Sequence, residues 1–195
     1  MIYFLNCFPK LSRKTDLCQM WLISFLFLSL SSAVFAFPYG IQYNSVHNKD
    51  LDNRGCTLCY ERIYHSSTTS EDILSCTGPI LFVGAQTFSN WFWRFESTIY
   101  LGAFGRAPNV HERTELNTPN LSNGVYWYFT PGKSFGFLRD TELIQEPTVD
   151  IGTENADSRL SWNLDNGIGG DRAGLYSNLK YESVNRKLIY NCVEE

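Results

Sequence analysis

Asp165 and Asp171 flank a glycine-rich segment, residues 166–170, between two apolar stretches. Carboxylates in a flexible loop are ligands that calcium accepts. The spacing is not that of an EF-hand, because Gly167 and Gly169 stand where the third and fifth ligands belong, and no Lys-Ser or Lys-Thr step of a phosphate-binding P-loop follows. We therefore keep an irregular calcium site at Asp165 and Asp171 as a candidate. The simpler interpretation is a bend between two strands, in which glycines let backbones approach closely.

Four cysteines follow residue 36, namely Cys56, Cys59, Cys76 and Cys192. An even set in an oxidising compartment usually forms disulfides, and four cysteines allow three pairings. We expect one bridge between Cys192 and the cluster at 56–76, because a bridge across a long loop restricts the unfolded chain most. Cys56 and Cys59 also have the C-x-x-C spacing of redox proteins, an alternative that requires them to pair with each other.

Asn120-Leu121-Ser122 is an acceptor sequence for N-glycosylation within a polar stretch. Signals for catalysis are weaker, since no G-x-S-x-G turn occurs and no catalytic residue is predicted. A secreted hydrolase with a carboxylate pair in a cleft, or with an acid beside His65 or His111, stays the alternative. In "VYWYF", Tyr126 and Tyr128 face away from Trp127 and are candidates either for sugar stacking or for core packing.

The amino terminus has the layout of a signal peptide. An uncharged apolar run, 21–37, follows Lys10, Arg13 and Lys14 and ends in Val-Phe-Ala. We predict a signal peptide over residues 1–36 with cleavage after Ala36, hence a secreted protein, and an uncleaved membrane anchor is the alternative. Translation from Met20 would give a compact leader, so the start at Met1 or Met20 stays open.

The charge distribution argues against polyanionic partners. The chain carries 16 basic and 20 acidic residues, and removing the leader takes away three basic residues and one acidic residue, which leaves a net charge of −6. The remaining basic residues are scattered singly, whereas nucleic acid and anionic membranes require clustered positive charge. We expect neither as a partner.

The sequence predicts that short strands position these residues. An aromatic content of 15% with many glycines favours strands and turns. Residues 37–55 are polar and predict a surface entry segment with at most one edge strand, and 66–76 predicts the one helix. Residues 139–158 predict an acidic loop. We predict a single antiparallel β-sandwich over 56–195, with one or two short helices and with strands at 57–65, 78–88, 97–105, 124–130, 134–138, 159–164 and 187–192.

Two stretches resemble a known family. "SEDILSCTGPILFVGA", with "IYLGAFG" after it, resembles the start of a TLDc domain, and "RLSWNLDNGIGGDRAGLYSNL" is similar to the glycine-rich stretch of that family. The resemblance covers roughly residues 57–192. It implies a β-sandwich flanked by small helices and a non-catalytic protective or partner-binding role, and it adds no catalytic residue.

These observations predict a secreted, acidic, disulfide-stabilised β-sandwich that acts as a binding or protective module. The expected partner is an extracellular glycan or protein. No cofactor is expected beyond the calcium candidate.

Overall fold

A computed structural model describes residues 37–87, 98–114, 119–139, 156–165, 171–177, 179 and 185–194. The first of two antiparallel sheets has the strand order β1-β4-β3-β10-β2. Its strands are β1 Ile41–His47, β2 Thr57–Ile63, β3 Ile80–Thr87, β4 Thr98–Arg106 and β10 Asn185–Cys192.

The second sheet has the order β5-β6-β7-β8-β9 and is antiparallel throughout. Its strands are β5 Asn120–Ser122, β6 Val125–Thr130, β7 Ser134–Leu138, β8 Leu160–Asn163 and β9 Arg172–Ala173. The two sheets pack together, so the predicted β-sandwich is confirmed.

The main core lies between the sheets. Alternation along each strand sends one set of side chains inward, and aromatic residues dominate that set because they bury the most area. The second sheet contributes Trp127, Phe129, Phe135, Phe137 and Trp162. A smaller cluster covers the opposite face of the first sheet, where Phe82, Phe104 and Tyr190 pack with Leu51.

Three short helices are described: α1 Asn48–Asn53, α2 Ser70–Leu74 and α3 Ala107–His111. The predicted helix is α2, and Thr69 explains its start. The Thr69 hydroxyl accepts from the Asp72 backbone N–H at 3.1 Å, while the Asp72 carboxylate accepts from the Thr69 N–H at 2.8 Å. This reciprocal capping satisfies two backbone donors that the helix leaves free. No described helix is long and apolar enough to cross a membrane.

Two disulfides brace the first sheet, Cys56–Cys192 and Cys59–Cys76. The expected bridge from Cys192 to the cluster at 56–76 is confirmed. The pairing of Cys56 with Cys59, which the redox alternative requires, is wrong, because each of these cysteines is bonded elsewhere.

Each of the seven predicted strands overlaps a strand of the structure. β3 has strands on both sides and seven of its eight residues are buried, as the apolar run predicts. Residues 37–55, predicted as a surface entry segment, contain α1 and β1, and β1 is an edge strand. The predicted leader at 1–36 and residues 140–155 of the predicted acidic loop lie outside the described residues, and 156–158 form a 3-10 turn.

Candidate functional site: a tyrosine-lined edge

We define a tyrosine edge by four side chains from both sheets, namely Tyr43, Tyr100, Leu175 and Tyr176. Asp157 acts on Tyr43, and its backbone adjoins Gly174 in the turn that carries Leu175 and Tyr176. Tyr43 lies on β1, which is an edge strand of the first sheet, and Leu175 and Tyr176 follow β9, which is an edge strand of the second. Exposed fractions of 43%, 75% and 61% for Tyr43, Leu175 and Tyr176 place three large apolar groups in solvent. Grouped exposed apolar side chains are typical of binding surfaces.

A β-bulge positions Tyr100. Consecutive residues Ala85 and Gln86 of β3 pair with Leu101 and Ile99 of β4, so Tyr100 is an extra residue without a partner across the strand. Bulges redirect a side chain and occur often beside functional sites. Burial raises the pKa of Tyr100, with a further contribution from Tyr176. Its hydroxyl oxygen is buried and has no hydrogen-bond partner among the described residues.

A tight turn after β9 places Tyr176. Ala173 and Tyr176 exchange backbone hydrogen bonds of 2.9 and 3.1 Å, and Gly174 adopts a φ of 59° that suits glycine. The Tyr176 ring meets the Tyr100 ring edge to face, at 5.6 Å between centroids. This contact joins the two sheets at the tyrosine edge and keeps the outer ring exposed.

Polar groups surround Tyr43. Burial raises the pKa of Tyr43, while a hydrogen bond with Ser158 and the charge of Arg139 lower it and the charge of Asp157 raises it. Asp157 and Arg139 are both exposed. Aromatic rings beside a carboxylate and a guanidinium match the two faces of a sugar, since C–H groups pack on rings and hydroxyls bond to charged groups.

Asp171 is placed in the core instead of on the surface. Its Oδ2 lies 3.0 Å from Nζ of Lys187, and the two side chains are 3% and 1% exposed. Its Oδ1 accepts from the Asn163 backbone N–H at 2.7 Å. Lys187 also donates to Thr68 Oγ1 at 3.0 Å and lies 5.3 Å from the centre of the Tyr64 ring. Burial lowers the pKa of Lys187 and the charge of Asp171 opposes that shift.

Asp165 has a separate role. Its Oδ2 accepts from the Ser70 backbone N–H at 3.1 Å and from the Ser70 hydroxyl at 2.6 Å. Asp165 has a φ of 52°, a backbone conformation that aspartate tolerates better than most residues. The contact ties the end of β8 to the start of α2.

The calcium candidate gains no support from these contacts, because protein donors already bond to Asp165 and Asp171. Among the described residues, no three His, Cys, Asp or Glu side chains form a group that could hold a metal ion. Leu160 pairs with Ala173 in antiparallel register, so β8 and β9 run in opposite directions. The predicted bend, with Gly169 and Gly170, falls on residues 166–170, which lie outside the described residues.

The glycosylation candidate Asn120 begins β5. Its side-chain amide donates to the Glu112 carbonyl at 3.2 Å, and Ser122 Oγ accepts from the Arg106 backbone N–H at 2.9 Å. Both residues lie at the edge of the second sheet, because β5 is an edge strand. Glycosylation of Asn120 stays a prediction.

The hydrolase alternative, with a carboxylate pair or an acid beside His65 or His111, gains no support from the described residues. Asp171 is the one buried acid among them, and its partner is a lysine instead of a second carboxylate. Burial lowers the pKa of His111, and a hydrogen bond with the Ile73 backbone opposes the shift. Nε2 of His111 has no hydrogen-bond partner in the described part of the chain.

The tyrosine edge and Lys187 were missed by sequence reasoning, which considered Tyr126 and Tyr128 instead. Tyr128 is fully buried, and its hydroxyl donates to the Leu160 carbonyl at 2.9 Å, so it cannot stack on a ligand. A usable signal for Lys187 existed, because it lies two residues before Ile189 in a strand and so shares its inward face. No comparable signal marks Tyr100, since its placement depends on a bulge.

Comparison of the chain with protein-family models, with curated proteins and with solved structures finds no match. The resemblance to the TLDc family stays a prediction.

Proposed function

We propose that this chain is a secreted, non-catalytic binding module that recognises an extracellular glycan, free or on a glycoprotein, at the tyrosine edge. The contact between Tyr100 and Tyr176, with Tyr43 flanked by Asp157 and Arg139, supports this most strongly. Two exposed rings offer a stacking surface, and a bulged tyrosine supports one of them from below.

Secretion is part of the proposal. It is supported by the leader layout of residues 1–36 and by two disulfides, which form in oxidising compartments. The acidic net charge of the chain fits an uncharged or weakly basic ligand better than a polyanion. Glycosylation of Asn120 would be compatible with the same compartment.

The test is a glycan array probed with the full-length chain produced in a secreting eukaryotic cell, followed by calorimetry on the best ligand. We expect binding that Tyr176→Ala weakens about tenfold or more, since losing a well-placed aromatic contact costs roughly 1–2 kcal/mol. Tyr176 is 61% exposed, so its truncation leaves the core intact.

Leu58→Ala is the matched control. Leu58 is 47% exposed on β2, the edge strand on the far side of the first sheet from β1, and its removal should leave affinity unchanged. If no glycan on the array is bound, the ligand is not a glycan of the kinds tested and the proposal is contradicted. If Tyr176→Ala and Leu58→Ala lower the affinity equally, the tyrosine edge is not the binding site.

A further inference from the structure

We propose that Lys187 and Asp171 condense into an amide, an intramolecular isopeptide bond that links the two sheets covalently. The amine nitrogen lies 3.0 Å from a carboxylate oxygen, and both side chains are sealed in the core between the sheets. The proposed glycan binding does not require this bond, so an experiment can refute either proposal without affecting the other.

Burial favours the reacting forms of both groups. Amines and carboxylic acids do not condense in water because they ionise, and an ammonium is not a nucleophile. A dry site disfavours the charged pair relative to a neutral amine beside a neutral acid. Three buried aromatic residues adjoin this site: Tyr64 lies under the Lys187 amine, Trp162 donates to the Tyr64 hydroxyl, and Tyr60 donates to Thr68. Their burial excludes the water that would reverse the reaction.

The surrounding hydrogen bonds orient both reactants. Lys187 Nζ donates to Thr68 Oγ1 at 3.0 Å and to the Ser66 carbonyl at 3.4 Å, which fixes the amine beside the carboxyl group. The Asn163 backbone N–H donates to Asp171 Oδ1 at 2.7 Å. That donor stabilises the negative charge that develops on Oδ1 when the amine attacks, as an oxyanion hole does.

The reaction balances without a co-reactant. One proton moves from the Lys187 ammonium to Asp171 Oδ2, and the amine lone pair then forms the Nζ–Cγ bond. The Cγ–Oδ2 bond breaks, Oδ2 takes a second proton from Nζ and leaves as water, and Oδ1 remains as the amide carbonyl. The second proton passes directly between Nζ and Oδ2, which lie 3.0 Å apart, while Thr68 Oγ1 accepts from Nζ at 3.0 Å and from the Tyr60 hydroxyl at 2.8 Å and so holds the amine in place.

The bond would complement the disulfides. Cys56–Cys192 and Cys59–Cys76 involve the first sheet and the end of α2, and neither connects the first sheet to the second. Lys187 belongs to β10 of the first sheet, whereas Asp171 directly precedes β9 of the second. An isopeptide bond here would hold the sandwich closed against pulling, heat or proteases.

Peptide mapping of the full-length secreted chain tests the proposal. After reduction, alkylation and trypsin, we expect peptide 160–172 joined to peptide 187–195, at their summed mass less one water, with no cleavage after Lys187. Recovery of 160–172 alone, together with 188–195, would overturn it. The wild-type map decides the question whether or not any variant folds.

Two variants assign the bond to its atoms. Lys187→Arg keeps a positive charge but lacks the amine, so the joined peptide should disappear. Asp171→Asn should still form the bond but release ammonia, which gives a joined peptide of the same final mass from a parent that is one mass unit lighter. A joined peptide that persists in Lys187→Arg would contradict the assignment.

Discussion

Gly136 shows how closely the second sheet is packed around a single position. It lies on β7 between Tyr128 of β6 and Ser161 of β8. A Cβ atom added there would overlap the Leu160 carbonyl oxygen and the Tyr128 hydroxyl, which are hydrogen-bonded to each other. Neither can move without disturbing a central strand, so only glycine fits.

We expect Gly136→Ala to lower the free energy of unfolding by about 3 kcal/mol or more, the upper range for overpacking a core. Gly132→Ala in the same hairpin is the control. Gly132 has open space around it but a φ of 75°, so alanine there should cost about 1–2 kcal/mol from backbone strain. Urea unfolding of both variants measures the difference, and equal losses would refute the packing argument.

Individual residues were the hardest feature to predict. Asp171 was singled out from the sequence because it follows a run of glycines, but its partner is Lys187 instead of calcium. These residues come together only because β9 and β10 belong to different sheets that face each other. A local pattern contains no information about which inward residue of one sheet meets which residue of the other.

Strands were more predictable than single residues, and central strands more than edges. β3 and β4 are buried on both faces and so appear as continuous apolar runs. The hairpin of β6 and β7 follows from alternation on both sides of Pro131-Gly132. By contrast the polar segment 37–55 predicts at most one edge strand, which is β1. The three-residue β5 and the two-residue β9 are edge strands too short to leave a pattern that would fix their bounds.

The two disulfides should differ in their contribution to stability. Cys56–Cys192 spans a sequence separation of 136 and Cys59–Cys76 one of 17. The entropy that a bridge removes from the unfolded chain grows with loop length, which predicts about 5 kcal/mol for the long loop and about 3 kcal/mol for the short one.

Paired alanine variants, Cys56→Ala with Cys192→Ala and Cys59→Ala with Cys76→Ala, separate the two contributions. Under identical buffer conditions, guanidinium unfolding should give the lower midpoint for the variant that lacks Cys56–Cys192, the disulfide that closes the longer loop. A lower midpoint for the variant without Cys59–Cys76 would mean that local contacts outweigh loop length.

The whole molecule combines an aromatic core with an excess of acidic groups. The overall class, an antiparallel sandwich, was predictable because composition and strand spacing describe the average of many positions.

Burial of so many tyrosines makes the stability of the fold depend on pH. Burial raises the pKa of Tyr60 and Tyr190 to about 12, and it also raises the pKa values of Tyr43, Tyr64 and Tyr100.

These shifts predict loss of stability in alkali. A buried tyrosine stays neutral in the fold, whereas in the unfolded chain it ionises near its ordinary pKa of 10.0. A pKa raised on folding contributes stability that is complete below the unfolded value and disappears as the pH rises through the folded value. The contribution of Tyr60 and Tyr190 to the free energy of unfolding should therefore be constant below pH 10 and fall between pH 10 and about 12.

Ultraviolet titration of tyrosinate, combined with urea unfolding at each pH, measures both effects. Native protein should ionise part of its tyrosine at higher pH than protein in concentrated guanidinium. Tyr190→Phe should make the alkaline loss of stability shallower. Tyr190 is buried in the smaller cluster on the opposite face of the first sheet, which raises its pKa, and the charges of Asp52 and Glu61 raise that pKa further. Coincident titration curves for native and unfolded chains would show that the buried hydroxyls do not govern alkaline stability.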